Sequence, residues 1–423
     1  MPLADNPANP TEIEALRDPT AWAPPLGPQG GFASAQSTPE VKRAREFRPD
    51  VAGLRGIAVL LVVLFHAGLS QVSGGFVGVD VFFVISGFVI TGVLLREHER
   101  TKGTSLLAFY ARRARRILPA GTIVIIVTVL ISYHWLGFIA GNQVAEDDKA
   151  AALFYANFHF ISLSTNYFTS RLPPSPLQHY WSLSVEEQFY LVYPTIFLCV
   201  ALVWRRLPIV RKLAVVLLVI IGASFVLSVV QTAANANAAY FSPFTRAWEL
   251  ALGALVAIGS RPLSKLPPAL AAALTWGGMA CVLLAAFLYT SATAYPGDAV
   301  ALPVLGAAAI IAGGAAAPAV GAEALLGRLP LQWLGLISYS LYLWHWPLLV
   351  VPEEQATHPL STGHKLLLAL LAVAVSAVSF LLIENPVRKA KGLSRRNVLS
   401  LVMGGCLIAA SLSVAFIELA THP

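Results

Sequence analysis

The chain has 423 residues, of which 57% are apolar and only 12% charged, with a formal net charge of +7. That balance lies outside the range of soluble globular domains and makes lipid the solvent for most of the chain. It carries three cysteines, Cys199, Cys281 and Cys406, all inside apolar stretches and without CxxC or Cys/His spacing, which excludes a disulfide framework and a zinc site; no metal is expected.

Residues 1–46 are rich in Pro, Ala, Gly and polar side chains and show no sustained period, which predicts a disordered tail. The first residues are polar and Pro-containing, so no signal peptide is expected. From Val51 onward eleven apolar segments of roughly 17 to 22 residues follow, each able to cross a hydrocarbon core of about 30 Å as a helix. They lie near 52–70, 79–95, 118–138, 183–203, 213–231, 244–259, 269–290, 298–317, 331–351, 365–384 and 397–418. The expected fold class is therefore all-α and polytopic, set in the lipid bilayer.

Basic residues stay on the cytoplasmic side of such segments. With the N-terminus inside, 25 of the 29 Lys and Arg fall on inner segments, while Lys149, Arg171 and Lys365 fall outside and Arg246 sits at a helix mouth. This predicts a cytoplasmic N-terminus and an extracytoplasmic C-terminus in the inner, or plasma, membrane. The asymmetry also accounts for the positive net charge without nucleic acid, for which no binding motif is present.

Ionisable residues inside membrane segments are costly and become functional candidates. On the first segment Arg55 and His66 are eleven positions apart, close to three turns, so they share one face about 16 Å apart along the axis. An imidazole near the midplane is held neutral by desolvation and can serve as base or nucleophile toward an acyl group; the alternative is a buried histidine bonded to a neighbouring helix. Arg112, Arg113, Arg115 and Arg116 follow, just before Pro119, which reads as the opening of the third helix. Four guanidinium groups in five residues suit phosphate oxygens such as those of CoA, or equally the headgroups of anionic lipids.

Before the fourth segment, Ser184 and Glu187 have capping-box spacing, whereas Glu186 has no capping role and is a candidate catalytic carboxylate. Tyr180 and Trp181 fit an interfacial aromatic belt, and Trp181 is also a candidate substrate contact. Arg246 and Glu249, three residues apart, read as a structural ion pair. The ninth segment carries Ser338 through Pro347, whose polar atoms need protein partners and either line a cavity or join helices; Tyr342 and His345 are candidate substrate contacts.

Together these blocks resemble the acyltransferase-3 family of membrane O-acyltransferases. The resemblance rests on Arg55 with ten residues before His66, on Gly78 through Phe88, on the arginine cluster, on Trp181 through Tyr190, on Thr245 through Leu250 and on Ser338 through Pro347, all in order from about residue 48 to 390. It implies a ten-helix acyltransferase domain over 47–390 and an eleventh transmembrane helix within 391–423. It also implies a donor, acetyl- or succinyl-CoA, used as substrate on the cytoplasmic side with no permanently bound cofactor, and an extracytoplasmic glycan or glycolipid acceptor. In this family the Arg-x10-His pair and the basic motif are tied to activity, which corresponds here to Arg55, His66, Arg112, Arg113, Arg115 and Arg116. Many members continue into an external SGNH-type domain, so such a domain or partner is expected to act with this chain. A flippase for a lipid-linked glycan is the competing reading; it needs intramembrane polar groups but gives no reason for a phosphate-suited cluster on the side of Arg55.

Overall fold

The structure is a computed structural model that describes residues 48–101, 103–163, 167, 174–203, 207–318 and 320–422. The segment 1–46, expected as a tail, lies outside the described residues. By its contacts the chain divides into a unit 1–49 and a unit 50–423, and the second carries the features described below.

The described residues form helices and no strands. Among the described residues nine helices are long and apolar enough to cross a membrane by length and composition, which makes this a multi-pass membrane protein. The two other expected segments are shorter helices, Pro243–Ile258 and Ala301–Gly314. In chain order the elements used here are α1 (Pro49–His66), α2 (Gly78–Thr101), α3 (Leu106–Leu136), α4 (Phe138–Ala152), α5 (Ala156–Ser162) and α6 (Tyr180–Leu202). They continue with α7 (Ile209–Ala234), α8 (Pro243–Ile258), α9 (Pro268–Leu288), α10 (Ala301–Gly314), α11 (Leu329–Gln355), α12 (Thr362–Ser379) and α13 (Asn397–Thr421). A π-helical turn, Phe380–Glu384, extends α12.

Two boundaries differ from the sequence reading. Helix α3 starts at Leu106, where Ser105 caps it by accepting from the Ala108 amide, so Pro119 lies inside the helix and the arginine cluster occupies its early turns rather than a loop. Helix α6 starts at Tyr180, one turn earlier than a Ser184 cap requires. Ser184 instead donates to the Tyr180 carbonyl and accepts from the Ala156 amide, while Glu187 pairs with Arg113, so no capping box forms.

Helix α1 lies against α11 at a glycine crossing. A β-carbon added to Gly56 would run into the Leu331 carbonyl, and one added to Gly335 into the Ala52 carbonyl. Only hydrogen at these positions lets the two backbones approach so closely. Helix α13 packs along α3 and α4 and is tied at three levels. Arg115 donates to the Leu393 carbonyl and Ser400, Ser411 donates to Asp148, and Asn142 donates to the His422 carbonyl.

Candidate active site

The α1–α11 crossing gives Arg55 and His66 one partner each on the same helix. Arg55 Nη2 donates to Ser338 Oγ at 2.8 Å, and His66 Nδ1 lies 3.0 Å from His345 Nε2. Two levels result, one around each residue of the pair.

At the Arg55 level a cleft opens between α1, α2, α3, α6 and α11. Its polar wall holds Arg55, Arg113, Arg116, Glu186 and Glu187, and its apolar wall includes Val79, Phe82 and Phe83. Glu186 Oε1 accepts from Ser86 and Tyr190, both at 2.7 Å, and Arg113 pairs with Glu187 at 2.6 Å while stacking over the Tyr190 ring. The arginine cluster divides. Arg112 pairs with Glu97 at 2.6 Å, and buried Arg115 turns away to α13. Arg113 and Arg116 line the cleft, and Arg116 has no ion-pair or hydrogen-bond partner among the described residues. At about 100° per residue the four arginines spread over roughly 160° of the helix, so one ligand cannot meet them all.

At the His66 level charge gives way to rings. His66 Nε2 lies 2.9 Å from the Tyr167 hydroxyl, and its ring is nearly parallel to that of His345 with centroids 5.2 Å apart, while Trp346 lies at 4.4 Å between centroids. Trp346 Nε1 donates to the Ser175 carbonyl. His179 Nε2 donates to the Leu343 carbonyl at 3.1 Å, an oxygen freed because Pro347, four residues on, has no N–H. His179 Nδ1 is buried without a hydrogen-bond partner.

Tyr342 separates the two levels. On α11 it follows Ser338 by one turn and precedes His345 by one turn, and its ring lies 6.4 Å from Phe82 of the cleft and 5.5 Å from His345. Its hydroxyl is 2.6 Å from Ser182 Oγ and donates to the His179 carbonyl at 3.1 Å. Tyr342 and Ser182 line the cleft, and none of the three histidines does. Trp181 is 1% exposed and packs edge-on against Phe83 and Tyr167, which corrects its assignment to an interfacial belt; Tyr180 is equally buried. The polar atoms of α11 both line the cleft and join helices, as when Tyr339 donates to the Ile117 carbonyl.

The Arg246–Glu249 pair forms at 3.1 Å and also engages Asp80 at 2.7 Å, whose other oxygen accepts from Tyr295. Sequence reasoning missed Tyr167, His179 and Glu384. Glu384 is a buried carboxylate that accepts from Ser340 at 2.9 Å, with Arg116, Arg388 and Arg55 as the cations whose fields reach it. The rule that flags ionisable residues in membrane segments applies to Glu384 at the end of segment 365–384, and the π turn aims it inward. Tyr167 carries no such signal in the sequence.

Residues 48–384 match the family described as an acyltransferase domain. The chain is 33% identical over 359 residues to peptidoglycan O-acetyltransferase OatA of Listeria monocytogenes, covering 82% of this chain and 56% of that protein. It is 32% identical over 357 residues to the putative peptidoglycan O-acetyltransferase YrhL of Bacillus subtilis, covering 80% and 55%. With O-acetyltransferase OatA of Staphylococcus aureus the identity is 31% over 350 residues, covering 81% and 57%. The chain thus spans a little over half the length of these relatives. No solved structure matches it. The ordered motifs, the multi-pass helical fold and a family match over most of the length lead to one conclusion: the chain belongs to the acyltransferase-3 family of membrane acyltransferases.

Proposed function

We propose that the chain moves a short acyl group, acetyl or succinyl, from acyl-CoA on the cytoplasmic side of the inner membrane to a hydroxyl of an extracytoplasmic cell-envelope glycan. The observation that carries this reading is a cationic cleft and an imidazole pair held by the same two helices and separated by one tyrosine layer. The names of the relatives favour acetyl as the group and peptidoglycan as the acceptor.

Arg113 and Arg116 pair with phosphate oxygens of the donor, and Arg55 orients it at the base of the pantetheine arm. The thioester then passes Tyr342 to His66. In one route His66 takes the acceptor hydroxyl's proton as that oxygen attacks the thioester carbonyl; the carbon–sulfur bond breaks and the CoA thiolate takes up the proton. In the other, the imidazole attacks the carbonyl and CoA leaves as thiolate; the acceptor hydroxyl then attacks the acyl-imidazole, the neutral ring leaves, and the hydroxyl's proton passes to the thiolate. Only the acyl group crosses the midplane in either case. Glu186 sets the charge of the cleft wall, and Trp181 and His345 belong to the lining of the inner chamber. An external SGNH-type domain or partner delivers the group to its final acceptor, and the basic asymmetry supports an N-terminus inside and a C-terminus outside.

The test is acyl transfer from radiolabelled acetyl-CoA by the protein in proteoliposomes, with mass spectrometry of envelope glycans from wild-type and deletion cells. His66→Ala is expected to lower transfer by about a thousandfold or more while CoA affinity is unchanged, the scale of a lost base or nucleophile. Retention of more than about a tenth of wild-type turnover would make His66 a structural residue.

A further inference from the structure

We infer that His345 is a positioning residue that fixes the tautomer of His66, so that Nδ1 carries the His66 proton and Nε2 presents the reactive lone pair. This rests on the catalytic reading of His66 given above. His345 Nδ1 lies 3.0 Å from the Leu341 carbonyl oxygen, four residues earlier on α11. A carbonyl only accepts, so Nδ1 of His345 must carry the proton.

In an uncharged imidazole the other nitrogen is then bare, and His345 Nε2 is an acceptor. It lies 3.0 Å from His66 Nδ1, which must therefore donate. That in turn leaves His66 Nε2 bare, 2.9 Å from a Tyr167 hydroxyl able to donate to it. For two neutral rings this is the one proton arrangement that satisfies every contact. The reverse arrangement on His66 would set two nitrogen lone pairs against each other inside a site where His345 is fully buried.

The sequence accounts for the geometry. His345 lies seven positions after Ser338, and His66 eleven positions after Arg55. The glycine crossing sets the two helices close enough for both pairs to meet. Tyr167 thus marks the direction of the Nε2 lone pair and the place where a carbonyl carbon or an acceptor hydroxyl is received. His345 acts on the reaction through His66 without touching the reacting atoms, much as a buried carboxylate orients the histidine of a serine protease.

The experiment combines a spectrum with two variants of the full chain. In protein labelled with ¹⁵N-histidine, long-range proton–nitrogen correlation distinguishes the two tautomers, and the His66 signals are assigned by their loss in His66→Ala. The expected result is protonation at Nδ1, and a His66 protonated at Nε2 overturns the proposal whatever the variants do. His345→Leu removes the acceptor and is expected to lower turnover about a hundredfold, with CoA affinity unchanged. His345→Gln restores an acceptor oxygen and should recover turnover to within about tenfold of wild type. Equal turnover in the leucine and glutamine variants overturns the proposal, because shape alone would then account for His345. If the leucine variant does not fold, the wild-type spectrum and the glutamine variant still decide. Activity in His66→Ala is a separate result that removes the catalytic reading while leaving the spectrum to judge the tautomer.

Discussion

The cleft around Arg55 and the chamber around His66 are built from opposite materials, although the same two helices support both. The cleft gathers three guanidinium groups and two carboxylates on one wall. The chamber has imidazoles, a phenol and an indole in direct contact. Charge suits the task of holding an ionic ligand that arrives from water, since pairing offsets its desolvation. Proton transfer needs something else: a defined lone pair, which backbone carbonyls can dictate because they cannot donate. One helix pair supplies both by changing its side chains over two to three turns.

The sharpest way to test that division is to compare arginines within the cluster. Arg116→Ala should raise the dissociation constant for CoA by about 10- to 100-fold, since charge-assisted hydrogen bonds contribute about 1.5–3 kcal/mol. Arg112→Ala, whose partner is Glu97, should change it less than about twofold. Titration calorimetry on both variants decides the matter, and equal losses would mean that the cluster acts as a diffuse charge rather than through the cleft.

A second test acts on the layer between the two regions. Tyr342→Ala should open the inner end of the cleft and raise turnover of butyryl-CoA relative to acetyl-CoA by about tenfold, a scale consistent with adding space for two methylenes. Competition between the two donors reads the ratio. An unchanged ratio would show that Tyr342 does not limit the acyl chain.

The smallest expected effect lies outside both regions. The Asp148 carboxyl, on α4, accepts from Ser411 of α13, and burial pushes its pKa up to about 7 from 3.8. A carboxyl that ionises less readily in the folded protein stabilises the fold while protonated, and that contribution is lost as pH rises through about 7. The thermal midpoint should therefore fall by a few degrees between pH 6 and pH 8.5. Asp148→Asn should flatten this slope without altering CoA binding. A midpoint that rises over that interval would reverse the sign of the argument.

Much of this was legible in the sequence where a single helix carries the information. The Arg55–His66 spacing specifies a shared face, and the hydropathy of the segments specifies a multi-pass fold. The arginine cluster was legible as charge but not as direction, because Pro119 read as a helix start when the helix already begins at Leu106. Once the segment is taken as helical, the spread of Arg112, Arg113, Arg115 and Arg116 around the axis follows from arithmetic. The Ser184–Glu187 spacing misled for a related reason: local capping competes with tertiary partners, and Arg113 claimed Glu187. Tyr167 and His179 were illegible because their roles depend on what α1 and α11 bring to them across more than 100 residues.

Pro347 shows how stability and activity can be set against each other in such a chain. An interior proline weakens a helix by about 3 kcal/mol relative to alanine, so Pro347→Ala would be chosen by any scheme that ranks substitutions on helix strength. The restored amide would compete with His179 for the Leu343 carbonyl, loosening an imidazole that adjoins His345. A more robust protein would then be a less ordered catalyst, and the weakness in α11 becomes something selection has reason to keep.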